Sequence, residues 1–404
     1  MNIHIEKGIA NGTVLAPPSK SMAHRLLICA ALSRGESVIK NLSFSEDISA
    51  TADCIRALGA DCRIEGDTAF VCGIDFNKTV NNTLCCRESG STIRFFVPIC
   101  LLFSNEITLT GSEYLLKRPM NIYADICKER GLTFDLNDKN LTVKGKLESG
   151  IFKMPGNVSS QFVSGLLFVL PLLSGDSKIE LIGGIESKSY IEMTISALSC
   201  FGVSISWENE NTLYIKGNQK YKPQNLAVEG DYSNTAFFEA LNIFGGNVLV
   251  EGLNKNSLQG DRVYLDIMPK LLSGTPTVDI KDCPDLAPVL FAVAAANNGA
   301  RFTGTKRLKI KESDRGSAMR EELSKFGIES VIEENEITVF KGELKPPKAI
   351  LDGHNDHRIV MALSVLSTLT GGEIEGAEAV KKSFPDFFTK LSGLGIKVTG
   401  YDNK

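Results

Sequence analysis

A lysine, two serines and an arginine stand together near the start of a predicted helix in residues 18–25, which read Pro-Ser-Lys-Ser-Met-Ala-His-Arg. Ser19 follows two prolines, which disfavour helix before it, and serine is a good N-terminal cap. Arg25 follows Ser21 by four positions, so the hydroxyl and the guanidinium share one helix face. Because the free N–H groups and the positive dipole end of a helix start attract anions, the pattern predicts a phosphate or carboxylate site. The alternative from this stretch alone is a capped surface helix with solvated cations.

Four other segments place polar or cationic side chains directly before an apolar helix pattern. They are residues 88–94, 159–161, 311–315 and 355–358. Gly90 in the first segment would let a ligand approach the backbone closely, and Ser159 and Ser160 offer two hydroxyls. Taken singly, each segment is more typical of a capped turn or a solvated ion pair. Five such helix starts in one chain predict helix N-termini and cations that converge on one anionic ligand site.

The composition is typical of a globular protein, because 43% of the residues are hydrophobic and 23% are charged. With 404 residues, two domains of roughly 200 residues each are expected. No apolar run reaches about 18 residues, and the N-terminus lacks the apolar block of a signal peptide. We therefore expect no membrane partner and a cytoplasmic location. The net charge of −4 argues against a nucleic-acid partner.

Ten cysteines are spread along the chain without a Cys-x-x-Cys pair, which indicates reduced thiols rather than disulfides. The four histidines and the cysteines show no spacing typical of a zinc site. We therefore expect no metal ion and no cofactor.

A recurring pattern, an amphipathic helix that ends in glycine and is followed by two strands, indicates internal repeats. The glycines that end these helices are Gly59, Gly131, Gly202, Gly327 and Gly395, with a weaker copy at Gly274. Gly131 follows Gly59 by 72 residues, whereas Gly327 follows Gly274 by only 53. Six copies of about 70 residues, three in each half, account for the length, and we place the crossing between the halves near residues 228–231. The alternative is a chance spacing of helix-capping glycines.

Eight segments resemble, in chain order, the signature segments of the 5-enolpyruvylshikimate-3-phosphate synthase family. They are residues 18–25, 89–94, 118–119, 159–161, 187–191, 311–315, 355–358 and 382–385. The resemblance covers essentially the whole chain, and the segments occur at spacings compatible with the family.

The resemblance implies an α/β (α+β) fold, a two-domain inside-out α/β barrel with three βαβαββ repeats in each domain. It places a shikimate-3-phosphate-binding domain at residues 14–229, a second domain at residues 1–13 plus 230–404, and the active site in the cleft between them. It implies transfer of the carboxyvinyl group of phosphoenolpyruvate to the 5-hydroxyl of shikimate 3-phosphate, with release of phosphate, as the sixth step of chorismate and aromatic amino-acid biosynthesis. The expected partners are these two small molecules only, and we expect a monomer.

The resemblance also implies roles for single residues. Those that would hold shikimate 3-phosphate are Ser21, Arg25, Ser159, Ser160, Gln161, Ser187 and Lys311. Those that would hold phosphoenolpyruvate are Lys20, Gly90, Arg118, Arg315, Arg358 and Lys382. Asp285 matches the family's base at the attacking hydroxyl, Glu312 matches its acid at the methylene carbon, and Lys20 could assist either proton transfer. Arg307 stands where some relatives have asparagine, so we leave it out of the site.

Two other functions stay open at this point. UDP-N-acetylglucosamine carboxyvinyl transferase shares the fold, but its loop cysteine is missing from residues 111–120, and Ser21 stands where that family has asparagine. The other is a catalytically silent anion-binding homologue with a regulatory duty. Four residues argue against it by their presence, namely Lys20, Asp285, Glu312 and Lys382.

Overall fold

Two crossings of the backbone, after Pro17 and after Glu229, divide the chain into two units. The central unit is Pro18–Glu229, and the terminal unit combines Met1–Pro17 with Gly230–Lys404. Each unit has a hydrophobic core of its own.

The computed structural model describes residues 1–76 and 81–400. The terminal unit begins with β1 (Ile3–Ile5) and β2 (Asn11–Leu15). The strands of the central unit are β3 (Glu36–Lys40), β4 (Asp61–Glu65), β5 (Thr68–Cys72), β6 (Thr83–Cys85), β7 (Ile107–Thr110), β8 (Thr133–Leu136), β9 (Asn140–Lys144), β10 (Ile151–Pro155), β11 (Ser177–Ile182), β12 (Ile205–Asn209), β13 (Thr212–Ile215) and β14 (Asn225–Ala227). Its helices are α1 (Lys20–Leu32), α2 (Glu46–Ala57), α3 (Gly90–Cys100), α4 (Glu113–Leu116), α5 (Asn121–Glu129), α6 (Ser160–Val169) and α7 (Lys188–Cys200), with a 3-10 turn at Leu170–Leu172.

The terminal unit continues after the second crossing. Its further strands are β15 (Asn247–Glu251), β16 (Thr277–Asp279), β17 (Ala300–Thr303), β18 (Ser330–Ile332), β19 (Glu336–Val339), β20 (Leu351–Asp352), β21 (Gly372–Glu375) and β22 (Val398–Thr399). Its helices are α8 (Tyr232–Ile243), α9 (Tyr264–Ser273), α10 (Ala287–Ala296), α11 (Arg315–Lys325), α12 (His357–Ser367) and α13 (Phe387–Gly393), with 3-10 helices at Gly260–Val263, Lys306–Ile310 and Ala377–Lys382. Among the described residues, no helix combines the length and the apolar surface needed to cross a membrane.

Five four-stranded sheets share one topology, in which the first two strands are parallel and the other two each run antiparallel to the strand before them. In the central unit the strand orders are β14-β3-β5-β4, β6-β7-β9-β8 and β10-β11-β13-β12. In the terminal unit they are β16-β17-β19-β18 and β20-β21-β1-β22. A helix joins the parallel strands where a repeat is continuous in sequence, as α3 joins β6 to β7, because parallel neighbours need a crossover. Each sheet with its helices is thus one βαβαββ repeat.

The sixth repeat is shorter than the others in the described chain. Its sheet consists of β2 and β15, which pair in parallel along their whole lengths. Only three residues separate the end of α9 at Ser273 from the start of β16 at Thr277, so a hairpin has no room there. This is the copy that the sequence marks as weaker at Gly274, and the missing hairpin accounts for the short step to the next repeat.

The inner layer of each unit consists of helices that are apolar on nearly all sides. In the central unit α3 packs against α6, and in the terminal unit α8, α10 and α12 pack against one another. Every residue of α12 is buried, which is typical of a core helix. The strands alternate buried and exposed residues, as in β10 and β21, so the sheets cover the helices from outside. This arrangement confirms the predicted inside-out α/β fold.

Candidate active site

Most of the predicted site residues lie at helix starts or in the turns beside them, whereas Arg25 lies in the second turn of α1 and Lys382 ends a 3-10 helix. In the central unit these are Lys20, Ser21 and Arg25 on α1, Gly90 at the start of α3, Arg118 after α4, Ser159, Ser160 and Gln161 at the start of α6, and Ser187 before α7. In the terminal unit these are Asp285 before α10, Lys311, Glu312 and Arg315 at the start of α11, Arg358 in α12, and Lys382 at the end of a 3-10 helix. The hydroxyl of Ser19 accepts from the amide of Met22 at 3.4 Å, so α1 is capped as the sequence predicts.

Arg25 is buried on α1 and is held in a fixed orientation by its neighbours. Its Nε donates to Thr194 Oγ1 at 2.8 Å, Nη1 to the carbonyl of Ser21 at 2.6 Å, and Nη2 to the carbonyl of Tyr190 at 3.0 Å. The guanidinium also lies 5.4 Å from the centre of the Phe95 ring. Burial lowers the pKa of Arg25 to about 10, which leaves the group charged at neutral pH. A fixed guanidinium is suited to bidentate binding of a phosphate or a carboxylate.

Lys20, the first residue of α1, forms an ion pair with Asp47 of α2 at 2.8 Å. Both side chains are shielded, with 15% and 11% of their surfaces exposed. One turn further along α1, the Nδ1 of buried His24 lies 2.8 Å from Thr51 Oγ1, which lies 2.8 Å from Thr92 Oγ1 of α3. Burial and the nearby charge of Lys20 lower the pKa of His24 well below its ordinary value. His24 is therefore neutral at pH 7, and through Thr51 it connects α1, α2 and α3 without adding charge.

The starts of α3 and α6 are joined through Gln161. Its Oε1 accepts from Arg94 Nη1 at 2.7 Å, and its Nε2 donates to Ser91 Oγ at 2.9 Å. Gly90 lies against Arg118, because a Cβ added at position 90 would stand 2.6 Å from Arg118 Nη1. The absence of a side chain at position 90 thus allows this guanidinium to reach the start of α3.

Ser187 is buried before the first turn of α7, with a φ of 56° in the left-handed region. A residue other than glycine held there costs on the order of 1 kcal/mol, and such residues cluster at ligand sites. The strain at Ser187 is therefore consistent with a binding role for this turn.

Arg315, the first residue of α11, is the centre of the terminal-unit cluster, with only 1% of its side chain exposed. Its Nη1 donates to Asp285 Oδ1 at 2.8 Å, its Nη2 to Glu312 Oε2 at 2.7 Å, and its Nε to Asp356 Oδ2 at 2.8 Å. Burial alone would lower the pKa of Arg315, but these three carboxylates raise it above its ordinary value. Arg315 therefore stays charged and fixes the two carboxylates that the sequence marks as acid and base.

Asp285 has two cationic partners in addition to Arg315. Lys311 Nζ donates to its Oδ1 at 3.1 Å, and Arg358 Nη2 donates to its Oδ2 at 3.3 Å. Burial alone would raise the pKa of Asp285, but the charges of Arg358, Lys311 and Arg315 hold it well below its ordinary value. Burial lowers the pKa of Lys311, against the opposing effect of Asp285. The carboxylate is ionised, as a base must be, but its three cationic partners keep its basicity low.

Asp356 is a member of this cluster that sequence reasoning missed. It caps α12 by accepting from the amide of Arg358 at 2.9 Å, and its Oδ2 also accepts from Ser313 Oγ at 3.1 Å and from Arg315. Ser233 of α8 was missed as well, and its Oγ accepts from Arg358 Nη2 at 2.9 Å. The capping role of Asp356 was recognisable in residues 355–358, but its second role depends on α11 packing beside α12.

Two further cations, Lys382 and Arg307, lie near this cluster. Lys382 Nζ donates to the carbonyl of Asn355 at 2.6 Å, which places it beside the turn that precedes α12. Arg307, which the sequence analysis leaves out of the site, is buried, and its charge lies near enough to contribute to the lowered pKa of Lys311. Arg307 therefore belongs to the surroundings of the cluster.

Comparison with known families and sequences gives one consistent result. The profile of the family described as EPSP synthase (3-phosphoshikimate 1-carboxyvinyltransferase) matches residues 6–391. The 3-phosphoshikimate 1-carboxyvinyltransferase of Clostridium perfringens (strain ATCC 13124) is 41% identical over an alignment of 408 positions, gaps included, that covers 95% of this chain and 96% of the relative. The enzyme of the same name from Clostridium kluyveri is 41% identical over an alignment of 409 positions that covers 96% of each chain.

Solved structures share the fold at lower identity. An EPSP synthase from Acinetobacter baumannii aligns with a TM-score of 0.81 at 21% identity and covers 100% of both chains. The enolpyruvyl transferase NikO from Streptomyces tendae aligns with a TM-score of 0.78 at 14% identity and covers 98% of both chains.

Proposed function

Because this chain belongs to the EPSP synthase family, we propose that its anion-binding residues in the two units serve one reaction. The protein is a 3-phosphoshikimate 1-carboxyvinyltransferase of the shikimate pathway, which transfers the carboxyvinyl group of phosphoenolpyruvate to the 5-hydroxyl of shikimate 3-phosphate and releases phosphate. The observation that carries the assignment of residues is the cluster in which Asp285 and Glu312 share the buried guanidinium of Arg315. In this proposal Asp285 is the base and Glu312 is the acid, and both carboxylates accept hydrogen bonds from the same guanidinium.

We assign shikimate 3-phosphate mainly to the central unit, Pro18–Glu229. Its binding residues are Ser21, Arg25, Ser159, Ser160, Gln161 and Ser187, together with Lys311 of the terminal unit. The buried Arg25 supports this assignment, because its side chain is oriented by Thr194 and Tyr190 before any ligand arrives. Preorganisation of this kind lowers the entropic cost of binding.

We assign phosphoenolpyruvate to a set of cations and one glycine. They are Lys20, Gly90, Arg118, Arg315, Arg358 and Lys382. Arginine suits this substrate, because its planar guanidinium binds a carboxylate or a phosphate with two parallel hydrogen bonds. Gly90 supports the assignment, because its lack of a side chain lets the Arg118 guanidinium lie against the start of α3, where the N–H groups and the positive end of the helix dipole favour an anion.

The acid acts on phosphoenolpyruvate and the base acts on the attacking hydroxyl. The methylene carbon of phosphoenolpyruvate takes a proton from Glu312 while the hydroxyl oxygen bonds to the neighbouring carbon and gives its proton to Asp285. The bond between that carbon and the phosphate oxygen then breaks, and the methyl group returns one proton to Glu312 as the double bond forms again. The proton on Asp285 leaves with the released phosphate. Lys20 can assist either proton transfer, and the surrounding cations stabilise the charge of the tetrahedral intermediate.

Binding of the substrates would also change the basicity of Asp285. In the unliganded cluster its pKa is held low by Arg358, Lys311 and Arg315. The phosphate and carboxylate groups of the substrates compete for these same cations, so the pKa of Asp285 should rise when both are bound. The base thus becomes effective when there is a hydroxyl to deprotonate.

A phosphate-release assay tests the assignment. We expect release when shikimate 3-phosphate and phosphoenolpyruvate are both present, and none when UDP-N-acetylglucosamine replaces shikimate 3-phosphate. Release with the UDP-sugar would favour the related transferase, and no release with either acceptor would favour a silent anion-binding homologue. Sedimentation and cell fractionation test two further proposals, that the enzyme is a monomer and that it acts in the cytoplasm.

A further inference from the structure

The turn between β20 and α12 has an unusual backbone. His354 and Asn355, which are consecutive, have φ values of 48° and 50°, in the left-handed region that residues other than glycine seldom adopt. The carbonyl of Asn355 accepts from Lys382 Nζ at 2.6 Å, and the next residue, Asp356, binds Arg315. Two such residues in a row persist only where surrounding contacts stabilise them.

The contacts come from Glu322 of α11, whose side chain is fully buried. Its Oε1 accepts from His354 Nε2 at 3.0 Å and from Lys325 Nζ at 2.9 Å, and its Oε2 accepts from the amide of Asp352 at 3.0 Å. The turn is closed on itself as well, because the amide of His354 donates to Asp352 Oδ1 at 2.7 Å. One buried carboxylate therefore holds the strained turn at two points, Asp352 and His354.

The same side chains include the residue types of a metal site. Ligand atoms of Glu321, Glu322 and His354 lie within 4.8 Å of one another. The ammonium of Lys325 already binds the central carboxylate, and its positive charge would oppose a metal cation there. The cluster is therefore better explained by its hold on the turn.

The helix that carries Glu322 also carries Arg315, seven residues earlier, so both side chains lie on one face of α11. Arg315 holds Asp356 and Glu322 holds His354, and the turn is thus attached to α11 at two points. We propose that Glu322 and His354 are positioning residues, which hold the turn 352–356 in the conformation that places Lys382 and Arg315 for phosphoenolpyruvate. This inference rests on the proposed function, because that function assigns both cations to phosphoenolpyruvate.

The strength of the contact between His354 and Glu322 should depend on pH. The groups that face His354 are Glu321, Glu322 and Lys325 of α11 and Asp352 of its own turn. The bond to Glu322 raises the pKa of His354 above its ordinary value. The ion pair between protonated His354 and the Glu322 carboxylate therefore stabilises the turn at lower pH. This stabilisation is lost as pH rises through the raised pKa of His354.

The substitution His354→Gly tests the proposal, because glycine accepts the left-handed backbone and removes only the side chain. We expect KM for phosphoenolpyruvate to rise about tenfold, as for the loss of one charge-assisted hydrogen bond, while KM for shikimate 3-phosphate stays within about twofold. His354→Gln, which keeps an amide donor, should recover part of the loss. It should also abolish the increase of KM for phosphoenolpyruvate that the wild type shows as pH rises through the pKa of His354. Arg320→Gln, at an exposed position of the same helix outside this cluster, is the matched control and should resemble the wild type.

Amide hydrogen exchange gives a readout that does not depend on turnover. Exchange in residues 352–358 should be faster in His354→Gly than in the wild type, with little change in the central unit. Wild-type KM values together with wild-type exchange in His354→Gly would overturn the proposal. Failure of the wild-type enzyme to release phosphate would instead refute the function, whatever the variants do.

Discussion

Replacement of Asp285 by asparagine removes the proposed base and one negative charge, and nearly preserves the shape of the side chain. Without a base at the attacking hydroxyl, kcat should fall by about 10²- to 10⁴-fold. The charge balance of the cluster changes too. Lys311, Arg315 and Arg358 are balanced by Asp285, Glu312 and Asp356 in the wild type, so Asp285→Asn leaves one net positive charge.

That charge should strengthen the binding of an anion while catalysis is lost. A unit charge about 6 Å away, at an effective dielectric constant of about 40, contributes about 1.4 kcal/mol, which is roughly tenfold in affinity. We therefore expect Asp285→Asn to bind phosphoenolpyruvate, in the presence of shikimate 3-phosphate, roughly tenfold more tightly than the wild type. Inorganic phosphate should also raise the melting temperature of the variant more than that of the wild type.

Phosphate release measures the fall in kcat. Calorimetric titration and thermal melts measure the tighter binding of phosphoenolpyruvate and of inorganic phosphate. Asp282→Asn is the matched control, because Asp282 is exposed in the same loop and lies outside the proposed machinery. Turnover of Asp285→Asn within tenfold of the wild type would refute the role of Asp285 as base. Weaker binding of phosphoenolpyruvate by the variant would refute the charge balance on which the estimate rests.

Three further substitutions test single contacts in the central unit. Lys20→Met should abolish phosphate release without altering circular dichroism, because it removes the ammonium at the start of α1, and retained turnover would contradict its assigned role. Gly90→Ala should raise KM for phosphoenolpyruvate by about tenfold, because the new Cβ would stand 2.6 Å from Arg118 Nη1 and displace that guanidinium, and an unchanged KM would show that Arg118 does not act there. Arg25→Lys should raise KM for shikimate 3-phosphate by about tenfold or more, because lysine cannot satisfy Thr194 and Tyr190 together and still present two donors to a phosphate, whereas an effect on phosphoenolpyruvate alone would contradict the assignment.

The repeats could be predicted from the sequence because their signals are local. A glycine after each amphipathic helix marks its C-terminus, and the distance between such glycines gives the repeat length. Even the short repeat is visible, as the step of 53 residues between Gly274 and Gly327. The pairing of strands that are far apart in the sequence was not predictable in this way. β1 joins β21 and β22, and β14 joins β3, only because the chain crosses twice between the units.

The candidate site was predictable where helix starts carry the residues and was not predictable where two helices meet. Ser19 and Lys20 follow from a capping pattern, which depends on neighbours in sequence. Asp356 binds Arg315 across 41 positions, and Glu322 binds His354 across 32, so both pairs depend on how α11 packs beside α12. A buried glutamate in the last turn of a polar helix has no distinctive sequence pattern, and its role could be recognised only from its partners.

The two units differ in the residues that cap their helices, and the difference agrees with the roles proposed for them. In the central unit the caps of α1, α3 and α6 are Ser19, Ser89 and Ser159. In the terminal unit the caps of α8, α11 and α12 are Asp231, Asp314 and Asp356. A hydroxyl satisfies a backbone N–H without adding charge, so the positive end of the helix dipole remains available to an incoming phosphate. A carboxylate offsets that dipole, so anion binding in the terminal unit has to come from side-chain cations such as Arg315 and Arg358. One of these carboxylates, Asp356, also holds Arg315 in place, which would let an acidic set of helix starts take part in the proposed binding of phosphoenolpyruvate.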